Sequence, residues 1–155
     1  MKIREMRPEE YPLLEQFLYL AVFVPEGMTA PLASIIYEPA LYRSIADFGR
    51  HRGDFCCVAE IQGRIVGAAW ARTIEQYGSL GAGIPSLCIS VVPEHRNQGI
   101  GTAMIGRILE TLQKEGFDKA SLSVQKENPA IKLYQRAGFT LVREKEEEWI
   151  MVYDL

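Results

Sequence analysis

The sequence predicts an α/β fold: a mixed sheet of six to seven strands flanked by about four helices. Three observations predict it. Residues 87–112, LCISVVPEHRNQGIGTAMIGRILETL, run from a β-branched apolar strand through a glycine-bearing loop into a helix. Two apolar runs, 55–61 and 64–73, are joined only by Gln62-Gly63, a connection suited to a tight hairpin. Two further strand-like segments, 139–143 and 149–153, read as a closing antiparallel pair around a charged tip, Glu144-Lys145-Glu146-Glu147-Glu148.

Taken in order, Lys2 to Arg7 alternates weakly and reads as a short first strand. Pro8-Glu9-Glu10 reads as a first helical turn, where proline is tolerated and acids are favoured by the dipole. Tyr11, Leu14, Phe17, Leu18 and Ala21 give that helix one apolar face, and it ends before Pro25. Residues 25–39 are irregular, interrupted by Gly27, Pro31 and Pro39. A second helix from Pro39 carries Leu41, Ile45 and Phe48 and is closed by Gly49. Both runs of the 55–73 hairpin are apolar at nearly every position, so both faces of the sheet should be covered. The small residues Gly67-Ala68-Ala69 point to something packed closely on that strand. A loop over Tyr77 to Gly83 leads to the strand 87–92, which Pro93 ends by removing a backbone donor. Apolar residues at Ile100, Met104, Ile105, Ile108, Leu109 and Leu112 make the next helix, which ends near Gly116. A strand over 120–124 follows, parallel to 87–92. Asn128-Pro129 opens the last helix as cap and first residue, and Gly138 ends it.

The strand-to-helix loop has a chemical meaning. The first N–H groups of a helix lack internal partners, and the dipole adds about half a positive charge there, so the site suits phosphate. Gly99 and Gly101 carry no Cβ to hold a phosphate away, and Arg96 adds a permanent forked donor. No GxxxxGK[ST] segment exists, and a GxGxxG pattern fails where Met104 stands in place of the third glycine. What remains is Arg96-Asn97-Gln98-Gly99-Ile100-Gly101 after a strand. In this the sequence resembles the GCN5-related N-acetyltransferases, and the order of elements agrees over nearly the whole chain.

The resemblance implies a single acetyltransferase domain over residues 1–155 with acetyl-CoA as co-substrate. It implies that backbone groups around Ile89, Ser90, Val91 and Val92 hold the pantetheine arm, in a slot where this strand splays from its parallel neighbour. The amides of Asn97, Gln98, Gly99, Ile100, Gly101 and Thr102, with Arg96, would hold the pyrophosphate. Asn97 departs from the glycine many members carry, but Asn tolerates positive φ. Asn128-Pro129-Ala130-Ile131-Lys132-Leu133-Tyr134 matches the family's cofactor-facing helix. By that resemblance Tyr134 would be the general acid that protonates the departing thiolate, with Asn128 and Ala130 beside the cofactor. The first two helices and their connection would shape the acceptor pocket.

An amine of pKa about 10.4 must lose a proton before it attacks. Glu26, Glu38 and Glu75 are the candidate bases, and a relayed water remains equally open. Cys88 with His95 as base would make a thiol-acyl intermediate, but no acid is placed to orient His95, and a core cysteine is the better reading. Lys132 and Arg136, spaced i, i+4, read as a solvated helix face. Two histidines and three cysteines show no metal-ligand spacing, so no metal is expected.

Composition bounds the rest. Apolar residues make up 48% and charged residues 24%, as in a globular protein, and the net charge of −3 gives no basic patch for nucleic acid. No apolar run reaches the roughly 18 residues of a membrane span, and the odd cysteine count with no signal peptide points to reduced thiols in the cytoplasm. The expected partner is a small-molecule or peptide amine, with a possible homodimer through the closing strands. The rival reading is a module that senses acyl-CoA or scaffolds a partner without turnover.

Overall fold

A computed structural model describes residues 1–73 and 83–155. Seven strands form one sheet: β1 (Lys2–Glu5), β2 (Phe55–Ile61), β3 (Arg64–Arg72), β4 (Ser86–Val91), β5 (Lys119–Gln125), β6 (Thr140–Glu144) and β7 (Glu148–Asp154). Their order across the sheet is β1-β2-β3-β4-β5-β7-β6. Every pairing is antiparallel except β4 with β5. The α-helices are α1 (Leu14–Ala21), α2 (Pro39–Tyr42), α3 (Ile100–Lys114) and α4 (Ala130–Ala137).

The β2–β3 hairpin turns as expected, with positive φ at both Gln62 (51°) and Gly63 (78°), the twist that matches flanking strands. Both sheet faces are covered. A Cβ at Gly67 would lie 2.9 Å from Met104 Cε on α3. On the opposite face, the Ser90 hydroxyl donates to the Phe17 carbonyl of α1 at 2.7 Å. The α3 stripe predicted from spacing, Ile100 through Leu112, is buried throughout. Each such side chain contributes about 1.5–3 kcal/mol through area removed from water.

Three local expectations are corrected. Residues 8–13 form a 3-10 turn rather than the start of an α-helix, because Pro12 lacks the donor an α-turn needs there. A second 3-10 segment, Ala33–Tyr37, lies inside the stretch read as irregular. The helix expected from Pro39 to Gly49 is α-helical only to Tyr42 and continues as turns. Arg72 gives the reason: its Nη1 donates to the carbonyls of Arg43 and Ala46, the acceptors a continued helix would have used. The predicted loop at 77–83 falls, apart from Gly83, outside the described residues.

Candidate active site

The β4–β5 pair makes the site. These strands share one parallel register pair, Ser86 with Ser121, reinforced by the Ser121 amide donating to the Pro85 carbonyl at 2.9 Å. Beyond it they part, and β4 keeps hydrogen-bonding only to β3. Backbone groups alternate sides along an antiparallel ladder. Since the Val92 amide donates to Val66 on the β3 side (2.9 Å), Ser90 also turns that way, while Ile89 and Val91 turn toward the opening. So of the four strand residues expected to meet a ligand, two face the slot and two are engaged elsewhere.

The slot leads into the loop before α3. Asn97 adopts φ 61° and Gly99 φ 80°, and α3 begins at Ile100. The six amides of Asn97–Thr102 make no hydrogen bond among the described residues, whereas Ala103 begins the helical ladder by donating to the Gly99 carbonyl at 3.1 Å. A row of aligned free donors at a helix N-terminus is an anion cradle. The two glycines serve different ends. A Cβ at Gly99 would meet nothing within 4 Å among the described residues, so its positive φ is what requires glycine. A Cβ at Gly101 would lie 3.3 Å from Leu133 Cδ2 and 3.7 Å from Ile89 Cδ1, so this glycine lets α3 close onto α4 and β4. Exposed Arg96 lies beside the cradle, its Nε donating to the Val91 carbonyl at 3.0 Å.

On the far side stands α4. Asn128 caps it through Oδ1, which accepts from the Ala130 amide at 2.9 Å. Tyr134 is 8% exposed, edge-on to Phe139, and its hydroxyl makes no hydrogen bond among the described residues. Burial, with Cys88 as a second influence, pushes that hydroxyl well above the ordinary phenol value, so it holds its proton. Tyr134, Cys88, Leu87, Ile105, Ile108 and Leu122 are among the walls of a small, mostly enclosed cavity of about 10 Å³. Burial pushes the Cys88 thiol up to about 11, which makes it a poor nucleophile. His95 lies seven residues further along the chain, past the end of β4, which rises about 3.3 Å per residue. The two do not form a dyad.

The carboxylate candidates are dispersed. Glu26 and Glu38 are exposed in the connection between α1 and α2, and Glu75 lies outside the described residues. Lys132 and Arg136 are exposed on α4. Among the described residues no group of three or more His, Cys, Asp or Glu could hold a metal ion, and no helix is long and apolar enough to cross a membrane.

Residues 16–139 match the Acetyltransferase (GNAT) family. The chain belongs to that family. This GNAT chain is 35% identical over 83 residues, 53% of its length, to N-acetyltransferase family 8 member 3 of Mus musculus. It spans only 37% of that relative. The acetyltransferase of GNAT family from Streptococcus pneumoniae matches with a TM-score of 0.69 at 20% identity, over 99% of both chains. The PaiA N-acetyltransferase of Thermoplasma acidophilum, solved in complex with coenzyme A, matches with a TM-score of 0.71 at 16% identity over 99% of this chain and 98% of its own. At such identities the likeness establishes the shared fold. The site of this GNAT chain also contains residues that sequence reading passed over. Leu87, Ile105, Ile108 and Leu122 read only as core, and nothing in their pattern marks them as slot walls. Arg72 gave a usable signal, since a charge ending an apolar strand needs a buried partner.

Proposed function

We propose that residues 1–155 act as one domain that transfers an acetyl group from acetyl-CoA to an amine within a ternary complex. One observation carries this reading: the free amides of Asn97–Thr102 run on into the unpaired edge of β4, and that edge ends beside Tyr134 and Cys88. The amides would take the diphosphate, with Arg96 alongside. The Ile89 groups and the Val91 amide would pair with the amide-bearing pantetheine arm as with an added strand, the Val91 carbonyl being already engaged by Arg96. A donor from the same edge would polarise the thioester carbonyl.

In the reaction the amine nitrogen bonds to the carbonyl carbon, the carbon–sulfur bond breaks, and the sulfur takes a proton from Tyr134. The raised position of that hydroxyl means the proton leaves only as negative charge develops on sulfur. The amine loses its own proton to Glu26, to Glu75 or to a relayed water. An acceptor of small-molecule or peptide type fits the α1–α2 connection as its pocket wall.

The test has two readouts. Calorimetry at moderate salt should show acetyl-CoA and CoA uptake, and a panel of amines should release free thiol. Uptake without thiol release from any amine would favour an acyl-CoA sensor instead. Absence of uptake by the folded protein would overturn both readings.

A further inference from the structure

The cavity in the slot measures about 10 Å³ and lies where β4 and β5 have just parted. That is the space of a single water or methyl group. Its walls are fixed. Leu122 is 3% exposed, Ile105 3% and Ile108 1%, and each belongs to the packed core beneath the sheet. Close-packed interiors yield little to added volume. The lining is also uncharged in function: Cys88 keeps its proton at neutral pH, so the cavity presents branched apolar groups, a thiol and the Tyr134 ring.

We infer that Leu122, Ile105 and Ile108 set the length of the acyl group at two carbons. This rests on the reading above, in which the thioester sulfur reaches Tyr134. From that point an acetyl methyl fills the space, and each further methylene must displace a buried branched side chain. Leu122 is the strongest determinant because it stands on β5 one residue past Ser121, as Leu87 stands one residue past Ser86 on β4, and both line the cavity. A pocket of this kind discriminates by about tenfold or more per methylene.

The experiment is a calorimetric series of CoA, acetyl-CoA, propionyl-CoA and butyryl-CoA on the full chain and on Leu122→Ala, with Ile108→Val as a milder change in the same wall. The wild type should bind acetyl-CoA about tenfold or more tighter than propionyl-CoA and about a hundredfold or more tighter than butyryl-CoA, and Leu122→Ala should bring acetyl-CoA and butyryl-CoA to near equality. If Leu122→Ala does not fold, Ile108→Val decides, by narrowing the gap for propionyl-CoA. Equal wild-type binding of acetyl-CoA and butyryl-CoA overturns the inference while leaving the proposed function intact. Discrimination that neither variant relaxes also overturns it. Failure of CoA itself to bind strikes the proposed function, a result distinct from both.

Discussion

Arg72 and Asp54 meet at two points, Nε to Oδ1 and Nη2 to Oδ2, both 2.8 Å, with the side chains 1% and 0% exposed. Asp54 also accepts from the amides of Gly49 (2.9 Å) and His51 (3.1 Å), while Arg72 reaches the carbonyls of Arg43 and Ala46. The pair thus wraps residues 43–54 around the end of β3 and holds α2 against the sheet. A buried pair of this kind adds modest stability over an apolar substitute, yet breaking it strands a charge.

Asp54→Asn should therefore destabilise the fold by about 3–5 kcal/mol, measured by urea unfolding at neutral pH. Burial alone would raise the Asp54 pKa, but the Arg72 hydrogen bonds and the two amides outweigh it and hold the carboxyl below its ordinary 3.8. A depressed carboxylate contributes fully above its unfolded value and loses that contribution as pH falls through its folded value. The gap between wild type and Asp54→Asn should close below pH 3.8. A gap constant down to the acid transition would show that Asp54 is not the linked group.

Tyr134→Phe removes one oxygen from a buried ring that already packs edge-on with Phe139 at 6.1 Å, so the fold should be untouched. If the hydroxyl is the acid, kcat falls by about 10²- to 10⁴-fold with acetyl-CoA affinity unchanged. Because the hydroxyl is pushed up from 10, wild-type activity should show no alkaline loss below pH 10 that the variant lacks. Turnover by Tyr134→Phe at the native rate would remove Tyr134 from the acid role.

Strand and helix identities were readable because alternation and the 3.6-residue period survive where burial is one-sided, as in α3. The helix expected to reach Gly49 failed for a reason no local pattern contains. Arg72 lies more than twenty residues downstream, and only the folded sheet brings its guanidinium to those carbonyls. The cradle was legible residue by residue, since Gly99, Gly101 and Arg96 advertise it, and the Asn97 φ of 61° agrees with what asparagine allows. The facing of β4 was not. Which of Ile89, Ser90, Val91 and Val92 open to the slot depends on the register with β3, a long-range property that a one-residue slip would invert.

Gly99→Ala separates backbone from space. Its Cβ meets nothing among the described residues, so the cost is that of the left-handed conformation at φ 80°, about 1–2 kcal/mol. Either the fold loses that much by urea titration, or the loop relaxes and CoA affinity drops by a comparable factor of about ten. A variant with native stability and native CoA affinity would show that the left-handed turn is dispensable.

Arg96→Ala tests the electrostatic share of the cradle. The side chain is exposed and anchored by one 3.0 Å hydrogen bond to the Val91 carbonyl, so it is oriented toward the end of β4 but screened by solvent. The free amides of Asn97–Thr102 remain in the variant, and their short-range hydrogen bonds to the ligand are screened less than a solvated charge is. Arg96 acts mainly as a solvated charge, whose reach shrinks to about 3 Å at 1 M salt. CoA should therefore bind about five- to tenfold more weakly to Arg96→Ala at low salt, a loss of roughly 1 kcal/mol. That difference should shrink toward nothing as salt rises, while both proteins retain the amide-borne affinity. A loss that persists unchanged at high salt would mean that Arg96 holds the ligand by a desolvated contact instead of by its field.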